Sequence, residues 1–336
     1  MRDRRTEQER QRRLRARRRR TAAAGALAAV IVIAAGVAIA SAGGSSGAPA
    51  GAGGATTSKG QRATDHQAAV HRAGSASPAA SATSARTQGT GSPGNATVPI
   101  LMYHVINPPP ARAPFPGLYV PADEFAAQME ALKAAGWHAV TMDQLEANWT
   151  RGVPLGPGKP IVITFDNGYT SQYTNALPVL RRLGWVGVEN IQLLGLPPSQ
   201  GGLTDAQVRG LISAGWELDT QGMTHADLIK LDSAEVQYQI ANARQTLRSR
   251  YGVPVNWFCY PSGHYDSAVI GAVRGAGFIG STTVIPGWAS RADDPYRLPR
   301  LRVLGGTSPS ELLQQISTGE SSPSPPASYG SPGTVS

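Results

Sequence analysis

The chain has 336 residues and a net charge of +9, from 31 lysines and arginines against 22 aspartates and glutamates. Such a balance is typical of nucleic-acid-binding proteins when the charge covers a folded surface. Here the first 20 residues contain eleven arginines and three acidic residues, a net charge of +8, so the remainder carries only +1. This distribution excludes a strongly basic folded domain, and we expect no nucleic-acid partner.

The basic stub, residues 1–20, is followed by an apolar segment that we interpret as a transmembrane anchor, residues 21–42. Residues 22–40 carry no charge, and as a helix they would span ~28 Å, about one hydrocarbon core. The arginines on the N-terminal side predict a cytoplasmic N terminus and a folded domain outside the plasma membrane. The small residues 40–42 leave open a cleaved signal peptide and secretion, and both alternatives export the domain.

Residues 43–96 are dominated by Gly, Ser, Ala and Thr, and residues 318–336 by Ser, Pro and Gly. These compositions predict a disordered linker and a disordered tail. Residues 97–317 between them are predicted to form one folded domain, which is long enough for a sizeable core. Cys259 is the single cysteine, so no intramolecular disulfide can form. Its apolar neighbours predict a buried, unreactive thiol.

Within the predicted domain, apolar runs of strand length alternate with amphipathic segments. This alternation predicts an α/β fold built around a largely parallel sheet or barrel. Strands are predicted at 98–103, 161–165, 188–194, 216–220, 257–260 and 280–284. Helices are predicted at 121–136, 204–215, 233–252 and 267–277, each ending at a glycine.

Polar side chains follow several of these strands. Because the carboxyl ends of parallel strands meet on one side of a βα architecture, we expect these side chains to share a mouth. They are Tyr103, His104, Asp166, Asn167, Gln221, His225 and the residues of 260–263.

Three segments with these residues resemble the leading motifs of the polysaccharide deacetylase family, the NodB-type carbohydrate esterases. They are Ile-Thr-Phe-Asp-Asn-Gly-Tyr at 163–169, the glycine-to-leucine stretch at 215–228, and Phe-Cys-Tyr-Pro-Ser-Gly at 258–263, with supporting matches at 99–104 and 298–303. The resemblance spans the predicted domain in the right order. It implies a distorted (β/α) barrel that removes acetyl groups from N- or O-acetylated polysaccharide with a divalent metal, usually zinc.

Carried over by position, the resemblance makes Asp166 the general base and His225 a metal ligand with a catalytic role. The other two metal positions differ, since Asn167 stands where the family has an aspartate and Gln221 where it has a histidine. Catalytic zinc takes three ligands from His, Asp, Glu or Cys, and neutral amides are poor replacements. The late Leu-x-His acid is also missing, because no histidine follows residue 264. A conventional zinc site is therefore not expected.

The resemblance also implies that the backbone N–H of Tyr260 stabilises an oxyanion and that the following proline shapes the groove floor. We further assign Trp288 to stacking on a sugar face, with an ordinary half-buried packing role as the alternative. The candidate substrate-binding residues are Tyr103, His104, Tyr260, Pro261, Gly263 and Trp288.

Several of these residues have structural alternatives that the sequence leaves open. A carboxylate at the end of an apolar strand is costly to bury unless it is paired, hydrogen-bonded or used, which favours a functional Asp166; the alternative is a cap of the Asn167–Gly168 turn. His104 could form a hydrogen bond near the rim, and Asp219, at a strand end, could accept one from a backbone donor.

Two functions from different classes remain. The first is a cell-wall or extracellular glycan deacetylase with weak activity, because lost Lewis acidity removes several kcal/mol of transition-state stabilisation. The second is a pseudoenzyme that binds glycan or a partner protein in the same groove without hydrolysis. A metal-independent hydrolase of another kind lacks a Gly-x-Ser-x-Gly or comparable nucleophile motif.

Overall fold

The structure is a computed structural model, which describes residues 91–113, 115–194, 196 and 201–321. The strands are β1 Val98–Tyr103, β2 Trp137–Val140, β3 Lys159–Asn167, β4 Val188–Gln192, β5 Glu217–Gly222, β6 Trp257–Cys259, β7 Gly280–Thr282, β8 Trp288–Ala289 and β9 Leu301–Arg302. The α-helices are α1 Ala122–Ala134, α2 Met142–Arg151, α3 Leu177–Leu183, α4 Asp205–Ser213, α5 Ser233–Gln237, α6 Ala243–Tyr251, α7 Ser267–Gly275 and α8 Pro309–Thr318.

The strands form one sheet in the order β7-β6-β5-β4-β3-β1-β8, with β2 also paired to β3 and β9 to β1. All neighbours are parallel except β8, which runs antiparallel to β1. The sheet curls, and the segment that leads into β9 connects β7 on one side of the sheet with β1 on the other. Leu298 N donates to Ser281 O at 3.0 Å, and Leu301 pairs with Leu101 of β1. The predicted (β/α) barrel is thus present as a curled half-barrel.

Alternation along the strands separates two apolar layers. In β3, Ile163 and Phe165 face outward and pack in the cluster beneath α1 and α3, while Val162 lies in the inner cluster with Val98 and Ile100. Side chains of successive strand residues point to opposite faces. The next inward positions on β3 are Thr164 and Asp166, so the polar site continues the inner layer toward the carboxyl end of the sheet.

Helix α2 was not predicted, although its sequence carries a start signal. The Thr141 hydroxyl accepts from Gln144 N at 3.2 Å, and Gln144 Oε1 accepts from Thr141 N at 2.8 Å. This capping box satisfies two backbone donors at the helix start. Gly152, with φ of 64°, ends the helix in the left-handed conformation. Thr141, three residues before Gln144, is therefore the sequence signal for the start of this helix.

All six predicted strands are present, and each predicted helix has a counterpart. The predicted helix 233–252 is interrupted by a π-helical turn, Tyr238–Asn242, between α5 and α6. Helix α8 ends at Thr318, one residue beyond the predicted boundary of the domain. The predicted basic stub, anchor, most of the linker and most of the tail lie outside the described residues. Within the described ranges, no helix is both long enough and apolar enough to cross a membrane.

Candidate functional site at the carboxyl end of the sheet

Asp166, at the end of β3, lies at the centre of the mouth and is 1% exposed. Arg300, also 1% exposed, binds it with both terminal nitrogens: Nη1 lies 2.8 Å from Oδ1 and Nη2 lies 2.9 Å from Oδ2. Asn190 Nδ2 donates to Oδ1 at 2.9 Å, and Cys259 Sγ lies 3.4 Å from Oδ2. The pairing with Arg300 replaces the predicted alternative of a turn cap.

Arg300 is held by three further contacts. Its Nε donates to Thr283 O at 2.8 Å, its Nη1 to Thr164 Oγ1 at 3.0 Å, and its Nη2 to Cys259 Sγ at 3.2 Å. A buried charge is tolerated when it is paired and its other polar atoms are bonded. Arg300 and Asp166 therefore form a saturated buried ion pair that ties the segment before β9 to β3, β4, β6 and the residue after β7.

The ion pair also sets the protonation of the site. Burial raises the pKa of Asp166, but the positive charge and hydrogen bonds of Arg300 outweigh it and lower that pKa to about 2. The carboxylate in turn raises the pKa of Arg300 above its ordinary value despite burial. Burial raises the pKa of Cys259 to about 12, and the thiol is fully buried. The predicted burial of this thiol is confirmed.

His104 borders the ion pair on the β1 side. Its Nε2 lies 4.0 Å from Asp166 Oδ2, and its buried Nδ1 has no hydrogen-bond partner among the described residues. Burial, with smaller contributions from the charges of Arg300 and Arg302, lowers the pKa of His104 to about 4 even though Asp166 opposes the shift. His104 is therefore neutral at pH 7, close to the carboxylate, and able to accept a proton.

Asn167 and Gln221, the two changed metal positions, are both at the mouth and both buried. Asn167 adopts a left-handed conformation with φ of 79°, which asparagine tolerates better than most residues. Its Nδ2 donates to Gln192 Oε1 at 3.2 Å. The Oε1 atom of Gln221 is buried and has no hydrogen-bond partner in the described part of the chain. His225, on the loop after β5, is exposed.

These residues do not fit a zinc centre. Across the described ranges, no three His, Cys, Asp or Glu side chains lie in an arrangement that could hold a metal ion. At the family's ligand positions, the site offers two neutral amides and one imidazole, whereas tight zinc sites use imidazole, thiolate or carboxylate ligands. The remaining carboxylate of the mouth, Asp166, is already bound to Arg300.

The structure does not bring every predicted substrate-binding residue to the mouth. Tyr103 is completely buried on the outer face of β1, where its hydroxyl donates to Gln128 Oε1 at 2.8 Å. Its ring packs edge-on against Phe125 at 5.2 Å between centroids. Because side chains alternate along a strand, Tyr103 and His104 face opposite sides of the sheet. The predicted contact of Tyr103 with substrate is therefore not supported by its position.

Trp288 is also far from the mouth. It pairs with Pro99 at the start of β1, five residues before His104, a separation of ~16 Å along a strand. Its Nε1 donates to Ile316 O at 2.7 Å, and its ring contacts Trp137 at 5.8 Å between centroids. Strand β8 runs antiparallel to β1 and places this ring at the opposite end of the sheet. Nothing in the sequence around Trp288 indicates that direction.

The segment after β6 does border the mouth. Pro261 and Gly263 are buried, and Gly263 has φ of 73°, with no room for a Cβ because Val284 Cγ2 occupies that space. Tyr260 is buried against Tyr265 with ring centroids 4.7 Å apart. Its backbone N–H points to Thr282 O at 3.4 Å, so that N–H is already directed at a carbonyl and does not match the implied oxyanion role.

The other candidate residues have structural roles in line with their alternatives. Asp219 Oδ1 accepts from Asn256 N at 2.9 Å and from Trp257 N at 2.8 Å. His264, in the turn after β6, has its Nδ1 3.1 Å from Asp227 Oδ1. The predicted role of Asp219 as a backbone acceptor is confirmed.

Sequence reasoning missed Arg300, Asn190 and Gln192. Arg300 lies in the supporting motif at 298–303, but nothing assigned it a partner. A signal was present, because an arginine among apolar residues near a strand must find a counter-charge once it is buried. Asn190 and Gln192 lie two residues apart in β4, on either side of Ile191, and Asn190 pairs in register with Asp166, so the period of two places both on the inner face.

The curled, largely parallel sheet with its polar site at the carboxyl end is a half-barrel α/β fold of the deacetylase type. The sequence profile described as polysaccharide deacetylase matches residues 155–280. A protein of Bacillus subtilis (strain 168) named "Putative polysaccharide deacetylase YxkH" is 30% identical over 214 residues, 63% of this chain and 74% of that protein. The chain belongs to the polysaccharide deacetylase family, as its motifs predict.

Solved structures share this fold. Deacetylase PplD of Streptococcus pyogenes, in complex with acetate, aligns with a TM-score of 0.59 at 24% identity, over 66% of this chain and 98% of that one. BC0361, a polysaccharide deacetylase from Bacillus cereus, aligns with a TM-score of 0.58 at 25% identity, over 66% of this chain and 69% of that one.

Proposed function

We propose that this protein binds acetylated cell-wall or extracellular polysaccharide in the mouth of a deacetylase fold and does not hydrolyse it. The proposal includes that the site holds no tightly bound zinc ion. Membership of the polysaccharide deacetylase family supports the polysaccharide ligand. The observation that carries the proposal is the pair of buried amides, Asn167 and Gln221, at the two changed ligand positions. Amides and histidines bind sugar hydroxyl and acetamido groups by hydrogen bonds without needing a metal.

The protonation of Asp166 supports the same conclusion. A general base works best when its pKa lies near the working pH. Arg300 holds the pKa of Asp166 at about 2, so the carboxylate accepts a proton from water only weakly near pH 7. Its oxygens are also occupied by Arg300, Asn190 and Cys259. Both effects favour a residue that organises the mouth over one that activates water.

A second candidate function is slow deacetylation. It is favoured by the position of His104, whose Nε2 lies 4.0 Å from Asp166 Oδ2. The pKa of about 4 leaves this imidazole neutral at pH 7 but makes it a weak base, so turnover would be slow. In this scheme His104 would accept a proton from water, and Asp166 would stabilise the imidazolium that forms.

The experiment that separates the two functions measures binding, acetate release and zinc content on the same full-length protein. With N-acetylated chito-oligosaccharide, we expect saturable binding, no acetate release above the uncatalysed rate, and no stoichiometric zinc after dialysis. Acetate release that is lost in His104→Gln, with binding retained, would establish slow deacetylation instead. Stoichiometric tightly bound zinc together with turnover would show that the binding-only proposal is wrong.

A gain-of-ligand variant tests the residue assignments. Asn167→Asp with Gln221→His restores the family's ligand types, so zinc affinity should rise by orders of magnitude, measured by competition with a chromophoric chelator. Asn242→Asp with Gln237→His makes the same chemical changes at exposed helical positions and serves as the matched control. Equal zinc affinity in the two double variants would mean that residues 167 and 221 do not share a site with His225.

We also propose that the domain lies outside the plasma membrane, held by residues 21–42, with secretion after cleavage near residue 42 as the alternative. The arginine-rich stub and the uncharged run support this placement. The N-terminal peptide of the protein recovered from the membrane fraction decides between them. Retention of residues 2–20 supports the anchor, and a mature terminus near residue 43 supports secretion.

A further inference from the structure

A second concave surface lies at the opposite end of the sheet from the mouth. We call it the Trp groove, a cavity of about 700 Å³. Its apolar wall is formed by half-buried Trp137, Trp288, Pro160 and Leu313, with Ile316 behind them. The remaining described lining residues are Thr97, Ala135, Gly158, Lys159 and Ser317.

The groove offers aromatic faces and little polar chemistry. Trp288 Nε1 is already bonded to Ile316 O at 2.7 Å. Lys159 is the single charged residue among the described lining residues. Its ammonium lies 5.5 Å from the centre of the Trp137 ring and donates to Ala135 O at 3.2 Å. A neutral ligand with apolar rings and few donors suits this surface. Proline-rich segments in polyproline II conformation have this character, and they dock in aromatic-lined grooves.

The C-terminal end of the described chain passes this groove and then reaches β9, where Arg302 N donates to Ser321 Oγ at 2.9 Å. Ile316 and Ser317 line it, and α8 ends at Thr318. Gly319 follows directly beside Trp288, since a Cβ at Gly319 would lie 3.8 Å from Trp288 Cδ1. Residues 322–336, which lie beyond the described part, contain Pro323, Pro325, Pro326, Pro332 and Tyr329 and no charged side chain.

We propose that the proline-rich segment 322–336 of the chain docks in the Trp groove. The tether makes this docking favourable even if the contacts are weak. From Gly319 to Pro323 an extended chain covers only ~12 Å, so the prolines begin within reach of both tryptophan rings. Short flexible tethers give effective concentrations of the order of millimolar. A segment that binds in trans with a dissociation constant of about 1 mM would then occupy the groove for a large part of the time.

Acrylamide quenching of tryptophan fluorescence reports on this groove selectively. Four of the six tryptophans, Trp149, Trp185, Trp216 and Trp257, are buried, whereas Trp137 and Trp288 are half-buried in the groove. The full-length protein is compared with a chain ending at Ser321. We expect the quenching constant to increase on truncation and to return toward the full-length value when a peptide of residues 322–336 is added at millimolar concentration.

A full-length variant separates docking from the mere presence of a tail. Pro323→Ala, Pro325→Ala and Pro326→Ala together should raise quenching as the truncation does, and Ser322→Ala with Ser324→Ala should not. The proposal is overturned if truncation leaves quenching unchanged, or if the proline and serine variants behave alike. Protection from quenching that depends on protein concentration would instead assign the groove to a second copy of the chain. Protection of the truncated chain by chito-oligosaccharide but not by the peptide would assign it to glycan.

Discussion

Two buried carboxyl groups on neighbouring strands differ in how the fold treats them. Asp166 on β3 is bound on both oxygens by Arg300, and its pKa is lowered to about 2. Glu189 on β4, paired in register with Phe165, is 1% exposed and has no hydrogen-bond partner for either oxygen among the described residues. Burial, followed by the charge of Asp166, raises its pKa well above the usual range.

The difference teaches that burial alone does not identify a functional carboxyl group. Burial without a partner keeps an acid neutral, whereas burial beside a cation keeps it ionised. Asp166 therefore contributes charge to the mouth, and Glu189 contributes none while it stays protonated. Glu217 and Asp219 of β5 differ from Glu189 because backbone N–H groups donate to each of them, yet burial raises the pKa of both groups as it does for Glu189.

Removing the cation should produce the largest effect. Arg300→Met leaves Asp166 buried and unpaired, so we expect the free energy of unfolding at pH 7 to fall by about 3–5 kcal/mol. Denaturant unfolding followed by circular dichroism measures it. Arg297→Met is the matched control, since Arg297 is partly exposed, with a 3.6 Å pair to Asp294 and the Tyr265 ring 5.9 Å from its guanidinium. It should change stability by less than about 1 kcal/mol.

A double variant keeps this prediction testable if Arg300→Met alone fails to fold. Arg300→Met with Asp166→Leu removes both charges, and replacement of a buried pair by apolar residues is often close to neutral. We therefore expect the double variant to be more stable than Arg300→Met. Simple additivity of the two single substitutions would contradict a coupled pair.

Removing Glu189, the buried acid without a partner, should increase the free energy of unfolding, whereas removing Arg300 decreases it. Glu189→Leu replaces a buried polar group without a partner by an apolar one, so stability at pH 7 should rise by about 1–3 kcal/mol. The midpoint of urea unfolding is the measurement. Glu130→Leu, at an exposed helical carboxylate, is a control for which we expect a change within about 0.5 kcal/mol. A loss of stability in Glu189→Leu would show that the carboxyl group has a stabilising partner.

The pH dependence distinguishes the two kinds of carboxyl group in a single titration. Burial raises the pKa of Asp219 to about 7, from an ordinary value of 3.8, so the folded state keeps a proton that the unfolded chain releases. Its contribution is present below pH 4 and is lost as the pH rises toward 7. For Asp166, with a pKa lowered to about 2, the contribution is present above pH 4 and is lost as the pH falls toward 2.

Two variants test which residue causes each part of the pH dependence of the unfolding free energy. Asp219→Asn should flatten the fall in unfolding free energy between pH 4 and 7 and leave the acid limb in place. His104 acts against Asp219 in this window, because burial lowers its pKa to about 4 and the neutral ring stabilises the fold more as the pH rises from 4 to 6.5. His104→Gln should therefore steepen the fall. Unchanged slopes in both variants would contradict these assignments.

The smallest effect should come from the thiol beside the ion pair. Cys259→Ala removes a weak donor to Asp166 and a weak acceptor from Arg300 but leaves the two charges bound to each other. We expect a loss of about 1 kcal/mol, mostly from lost packing. Denaturant unfolding measures it, and a loss as large as that of Arg300→Met would mean that the thiol is required for the geometry of the pair.

The sequence by itself determined the family, the six strands predicted from apolar runs, and the positions of Asp166, Asn167 and Gln221 at one end of the sheet. Local information suffices for these features, because strand period and motif order are written along the chain. It also predicted the poor zinc ligand set, since ligand type is a property of each residue.

Only the tertiary structure decided which side chains meet. Arg300 and Asp166 are 134 residues apart in sequence, and their pairing depends on the curl that brings β9 beside β1. Side-chain alternation along β1 places Tyr103 in the outer apolar layer. The antiparallel direction of β8 places Trp288 in the Trp groove, at the opposite end of the sheet from the mouth. Long-range pairing and the direction of a strand are settled by packing of the whole domain, which no local pattern records.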